Sequence, residues 1–193
     1  AGYVVCFNCN GDGIIYTSNV GESYNVLITR CIINDIAEKG IAILDTAYYE
    51  INNCYLNNIN VYPIYIRRST GLINHNEFEL SSYYIYYHYN CLHNEIQYNN
   101  FYNNNNGLGL MLRGSVNNIN YNNFFGPVRY FIYILYPFPD YSLVSSDVNA
   151  TNNYWSVEEV TQYLGDAEDD PRCPYHIIYL PKLSTPVKQA GIQ

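Results

Sequence analysis

Basic residues are scarce in this chain: three lysines and six arginines stand against 17 acidic residues, giving a formal charge of −8. A groove that neutralises nucleic-acid phosphates needs clustered Lys and Arg, so no nucleic-acid partner is expected. Charged residues of either sign make up only 13%. No run of about 18 apolar residues occurs, so no membrane span is predicted. A phosphate loop, a dinucleotide fingerprint and a Ser-His-Asp signature are all missing. Cys6-x-x-Cys9 has no second ligand pair at similar spacing. His75, His88, His93 and His176 show no ligand spacing either, so neither a metal nor a cofactor is expected. The chain opens Ala1-Gly2-Tyr3, without a methionine or a signal peptide, as a processed product or a fragment would.

What the chain has in excess is asparagine, 28 residues, and tyrosine, 24 residues. Hydrophobic residues at 48% are enough to build a core, and the length suits one domain, at most two. Apolar residues recur with a fixed step. Val5, Ile28, Ile51, Ile73, Ile96 and Ile119 are spaced by 23, 23, 22, 23 and 23 residues. Five residues later comes the column Asn10, Ile33, Leu56, Phe78, Phe101, Phe124. A third runs Ile41, Ile64, Ile85, Leu110, Ile132, and two residues on stand Ile43, Ile66, Tyr87, Leu112, Ile134. Within each repeat the apolar residues alternate with period 2, as strands require. Short strands every 22–23 residues, with Asn and Gly between them, describe a coil of parallel strands whose turns stack at about 4.8 Å. One turn cannot bury its inner face, but stacked turns can.

Three residues after the first anchor lies the column Asn8, Cys31, Cys54, Asn76, Asn99, Asn122. Asn tolerates left-handed backbone and suits a sharp bend, and stacked amides bond between turns. The same register places Cys31 and Cys54 on neighbouring turns about 5 Å apart, so a disulfide between them is predicted. Cys6, Cys9, Cys91 and Cys173 remain, with three ways to pair. An even cysteine number favours disulfides in an exported protein, and thiols or a metal in a cytosolic one.

The repeats Ile73-x-x-Asn76-x-Phe78, Ile96-x-x-Asn99-x-Phe101 and Ile119-x-x-Asn122-x-Phe124 resemble the right-handed parallel β-helix superfamily. Their closest flavour is the NosD-like, carbohydrate-binding and sugar-hydrolase repeats. Asn149-Ala150-Thr151-Asn152-Asn153-Tyr154-Trp155 resembles the segment that closes such repeats in archaeal and bacterial surface proteins, with Ser156 in place of the usual Gly. The resemblance covers roughly residues 4–181. It implies an all-β right-handed parallel β-helix of about six turns, and it is nearly silent on activity, because this fold hosts lyases, hydrolases, adhesins and inert fibres.

Residues 1–155 are read as the β-helix and 156–193 as a C-terminal cap. In the cap a short helix over 156–164 with Ser156 as N-cap precedes an extended tail. Two prolines make 136–148 an irregular excursion. The open N-terminal turn predicts end-to-end stacking of copies, or a tail inserted into a neighbour.

Three groups of residues are candidates for function. Arg67, His88 and Arg113 form an outward column with Leu44 and Leu135, an anion- or glycan-binding stripe; Asp45 beside Arg68 tempers its charge. Asp12, Asp35 and Asn58 share another column, with too few carboxylates for Ca²⁺. Tyr65, Tyr84, Tyr86, Tyr98, Tyr121 and Tyr133 are read as outward, suited to sugars or to a subunit interface. Asn149 opens a glycosylation sequon. The expectation is an extracellular or cell-surface structural protein that self-assembles into a filament, appendage or surface layer. It is not expected to be an enzyme; as one, it would be a polysaccharide lyase or hydrolase. The alternative is a carbohydrate-binding or carbohydrate-active β-helix, including a viral fibre or spike.

Overall fold

A computed structural model of the chain describes residues 4–7, 9–17, 25–88, 91, 93–102, 107–113, 116–126, 128–135, 147–166, 173 and 175–193, with backbone alone at 4–7, 116 and 117. It is an all-β coil whose three parallel sheets each contain seven strands, against the about six turns expected. The first sheet stacks β1 (Val4–Phe7), β4 (Cys31–Ile36), β7 (Tyr55–Ile59), β10 (Glu77–Glu79), β13 (Asn100–Tyr102), β16 (Asn123–Phe125) and β19 (Tyr154–Trp155). The second stacks β2 (Ile14–Thr17), β5 (Lys39–Leu44), β8 (Tyr62–Arg67), β11 (Ile85–His88), β14 (Leu108–Arg113), β17 (Tyr130–Ile134) and β20 (Leu164–Gly165). The third contains β3 (Asn25–Thr29), β6 (Tyr48–Asn52), β9 (Gly71–Asn74), β12 (Asn94–Gln97), β15 (Val116–Asn120), β18 (Val148–Asn149) and β21 (Ile177–Ile178). Three consecutive strands make one rung. Sheet pairing crosses the expected boundary at residue 155, since β20 and β21 complete the last rung.

Period-2 alternation turns one face of every strand into the bore. Ile28, Ile51, Ile73, Ile96 and Ile119 stack in register in the third sheet and are buried. In the first sheet Phe78, Phe101, Phe124 and Trp155 stack at centroid spacings of 4.8, 4.9 and 4.4 Å with near-parallel planes. That spacing is the strand spacing itself, so identical rings at one column pack face to face without leaving their rotamers. One polar cluster lies in the bore: the Tyr49 hydroxyl donates to Asn94 Oδ1 at 2.7 Å and sits 3.1 Å from the Tyr87 hydroxyl.

The first rung is longer than the repeat predicts. Val4 pairs with Cys31 and Ile14 with Ile41, and the Lys39 main-chain N–H bonds Asp12 across 27 residues. Val5 and Asn10 therefore drop out of the columns assigned to them, and Asn8 lies outside the described residues. Asp12 faces Lys39 instead of Asp35. The last step is also long, 31 residues from Asn122 to Asn153.

The bends are corrected as well. The left-handed residue at the corner between the third and first sheets is the one preceding each ladder position: Asn53, His75, Tyr98, Tyr121 and Asn152, with φ between 54° and 59°. The Asn that follows turns inward. Asn76, Asn99, Asn122 and also Asn153 are fully buried. Each side-chain oxygen accepts from the main-chain N–H of the ladder residue one rung below: Cys54 N–H to Asn76 at 2.8 Å, Asn76 to Asn99 at 2.9 Å, Asn99 to Asn122 at 2.9 Å, Asn122 to Asn153 at 2.8 Å. The amide nitrogens donate to neighbouring amides and to main-chain carbonyls such as Ile73 and Ile96. The ladder satisfies corner groups that no sheet reaches.

Cys31 and Cys54 sit in register, yet both are thiols and no disulfide joins them. Stacked strands hold their Cβ vectors parallel at the strand spacing, whereas a disulfide needs Cβ atoms converging to about 3.8 Å. Each thiol faces a main-chain carbonyl instead, Cys31 that of Thr29 at 3.5 Å and Cys54 that of Asn52 at 3.2 Å. The predicted helix at 156–164 shrinks to one 3₁₀ turn, Val160–Tyr163, without a side-chain cap. Ser156 Oγ instead accepts from the Gly126 N–H at 3.0 Å.

Candidate functional site

The outer face of the second sheet gathers the chemistry. Strand pairing sets Arg67 beside His88 and His88 beside Arg113, because each stands at the same position of its rung. Two residues earlier come Tyr65, Tyr86, Met111 and Tyr133, and three residues before those Lys39, Tyr62, Leu108 and Tyr130. Tyr62, Tyr83 and Tyr86 cluster with centroids 4.8 to 5.1 Å apart, and Tyr65 meets Tyr86 edge-on at 5.6 Å. Lys39 lies over the Tyr65 ring and Arg129 over that of Tyr130, each at 5.8 Å. Five of the chain's nine cations, Lys39, Arg67, Arg68, Arg113 and Arg129, thus sit on or beside this face of an acidic protein.

His88 is the hub. An arginine can only donate, so the 3.2 Å contact from Arg113 Nη1 makes His88 Nε2 an acceptor. Nδ1 then carries the proton and donates to the Tyr65 hydroxyl at 2.6 Å. Burial, with Arg113 and Arg67 alongside, pushes the imidazole down from 6.5 to about 4, so it is neutral at physiological pH. A neutral spacer between two guanidiniums removes the repulsion that a charged column would carry. Both ring nitrogens are engaged, which leaves no vacant proton acceptor there. Arg67 Nη2 binds Asp45 at 2.7 Å, and Arg68 binds the other oxygen of the same carboxylate. These bonds, Arg68's first, hold Asp45 below the usual carboxylate range despite its burial. The Arg67 Nε is shielded from water without a hydrogen-bond partner.

Other sequence candidates fall elsewhere. Tyr84 is inside the bore, with its ring 4.9 Å from Phe101; the residues before β11 shift its alternation. Tyr98 and Tyr121 form a stacked corner column with His75, at 5.3 Å steps. Asp35 accepts from Asn34 and Asn58, and Asp12 pairs with Lys39 at 3.2 Å. Among the described residues no group of three His, Cys, Asp or Glu is placed to hold a metal. The Asn149 amide is half-buried, donating to Asn118 and accepting from the Thr151 hydroxyl. Sequence reasoning missed Tyr62, Tyr83, Lys39 and Arg129. Extending the third column two residues towards the N-terminus would have found the first three.

A family model described as a right handed beta helix region matches residues 12–154. No curated protein and no solved structure matches the chain.

Proposed function

The chain belongs to the right-handed β-helix family, and from that premise we propose that it is an extracellular or cell-surface protein that binds acidic glycans on the outer face of its second sheet. The observation that carries this reading is the tyrosine cluster flanked by Arg67 and Arg113 across the neutral His88. Tyrosine rings offer an apolar face to a sugar ring and a hydroxyl to its polar rim. Guanidiniums bind carboxylates or sulfates bidentately. The columns repeat every rung, so the face recognises an extended chain better than a single sugar. The role is binding, without turnover.

The test is a glycan array with the wild type and with the Arg67→Ala, Arg113→Ala and Tyr83→Ala variants. Binding to uronate-containing or sulfated glycans that falls about tenfold or more in each variant supports the reading, since one charge-assisted contact is worth 1.5–3 kcal/mol or about that order. No binding to any acidic glycan overturns it.

A second reading, a subunit that self-assembles into a filament or surface layer, has its own support. Among the described residues β1, β2 and β3 pair on one side only. Large apolar side chains stand exposed on all three sheets of that end: Ile15 at 59%, Leu27 at 63% and Ile32 at 40%. Electron micrographs of concentrated protein decide it: filaments or sheets support it, and single particles at every concentration sink it.

A further inference from the structure

Leu183 makes a single parallel bridge to Tyr154 of β19, and residues 184–193 belong to none of the three sheets. They run across the rungs along the corner between the third and first sheets, from Asn153 back to Asn53. The lane beneath them reads main chain. The Leu183 N–H donates to the Asn153 carbonyl at 2.9 Å. Asn123 clasps Val187 at both ends of its amide: Oδ1 accepts from the Val187 N–H at 2.7 Å and Nδ2 donates to its carbonyl at 3.0 Å. Asn100 Nδ2 donates to the Ala190 carbonyl at 3.3 Å, and His75 Nδ1 to that of Gln189 at 3.0 Å. The Gly191 N–H meets the Tyr98 carbonyl at 2.8 Å, and the Gln193 N–H meets Asn53 Oδ1 at 2.8 Å.

Two features make this a fitted yet detachable occupant. The fit is sharp at Gly191, whose φ is +87°; a Cβ there would lie 2.4 Å from Asn100 Nδ2 and 2.8 Å from Glu77 Oε1. The packing is thin elsewhere. Apart from Gly191, the segment keeps its side chains half-buried or exposed. Residues 183–189 and the stacked rings of His75, Tyr98 and Tyr121 line an open pocket of about 720 Å³. Lifting the tail therefore withdraws no large buried side chain of its own; it breaks exposed hydrogen bonds at His75 and Asn53 and part-buried ones at Asn100 and Asn123.

We propose that this lane is an interaction surface whose partner is a second copy of the chain: residues 183–193 seat in their own lane or in a neighbour's, and tail exchange joins copies. The proposal deepens the self-assembly reading and rests on it. The contacts are the same in either seat, because the lane reads the tail's main chain and the glycine at 191 without regard to which copy supplies them. Seating in the same copy wins at low concentration through its high effective concentration, and exchange grows as the protein is concentrated. One-way exchange is heterologous and extends into chains.

The experiment uses the full chain, wild type and Gly191→Val, with circular dichroism to verify that both fold. The probe is a fluorescent synthetic peptide of residues 181–193. It is expected to bind the Gly191→Val protein, whose own tail no longer seats, and to bind about tenfold more weakly once Asn123→Ala is added. Tagged and untagged wild type, mixed at high concentration, should co-purify, and Gly191→Val copies should not. Failure of the peptide to bind Gly191→Val protein overturns the proposal. Co-purification that Gly191→Val leaves unchanged also overturns it, while keeping self-assembly through another surface. Wild-type copies that never co-purify overturn both.

Discussion

At the residue scale, the inner asparagines hold the corners together. Asn99 accepts from the Asn76 N–H and side chain and donates to the Ile73 and Gln97 carbonyls and to Asn122. Asn99→Ala leaves several buried main-chain groups unsatisfied, each worth about 1–3 kcal/mol, so urea unfolding should show a loss of at least about 2 kcal/mol. Asn149→Ala, half-buried with two side-chain partners, should lose far less. His88 gives a pH signature. The unfolded chain protonates it near 6.5 and the folded chain only at about 4. Between those values the unfolded state holds more protons, so stability rises with pH through that window and is lost as pH falls from 6.5 towards 4. A His88→Gln variant should lose less stability than the wild type over this range in thermal melts. The Cys54 thiol is held high by its hydrogen bond with Cys31 and by burial; alkylation by iodoacetamide should be negligible in the native protein and complete after unfolding.

At the scale of the element, strands of two to six residues are far too short to stand alone, and each is defined by its neighbouring strands in the stack. The ring column makes this concrete. Phe101 is sandwiched between Phe78 and Phe124, so Phe101→Ala opens a void that neither neighbour can close, and a destabilisation of about 3–5 kcal/mol is expected in denaturant titration. The columns of β4 to β17 were legible in the sequence because a step that stays within 21 to 25 residues puts like above like. The first rung was not, since its step is 27 and one longer loop looks the same as a frameshift. Tyr84 was misassigned for a related reason: alternation is defined only inside a strand, and β11 begins at Ile85. The cysteine column was located correctly and its chemistry misjudged, because register fixes proximity while bonding depends on the direction of the Cβ vectors.

For the molecule as a whole, stability is a nearest-neighbour sum over rungs. Hydrogen exchange should therefore be slowest in the central strands β7 to β14 and fastest in β1 to β3, β20 and β21, which among the described residues are paired on one side. Uniform protection from end to end would contradict that picture. The outer face of the second sheet is also a property of the whole: Lys39, Tyr62, Tyr86, Arg113 and Arg129 come from five different rungs or their loops, and only winding brings them together. The sequence by itself determined the coil, its bore residues and the asparagine column, since each follows from a local period repeated at a nearly constant step. Tertiary structure alone decided the thiol state of Cys31 and Cys54 and the seat of the tail. Those depend on side-chain direction and on contacts between segments that share no period, and periodicity encodes neither.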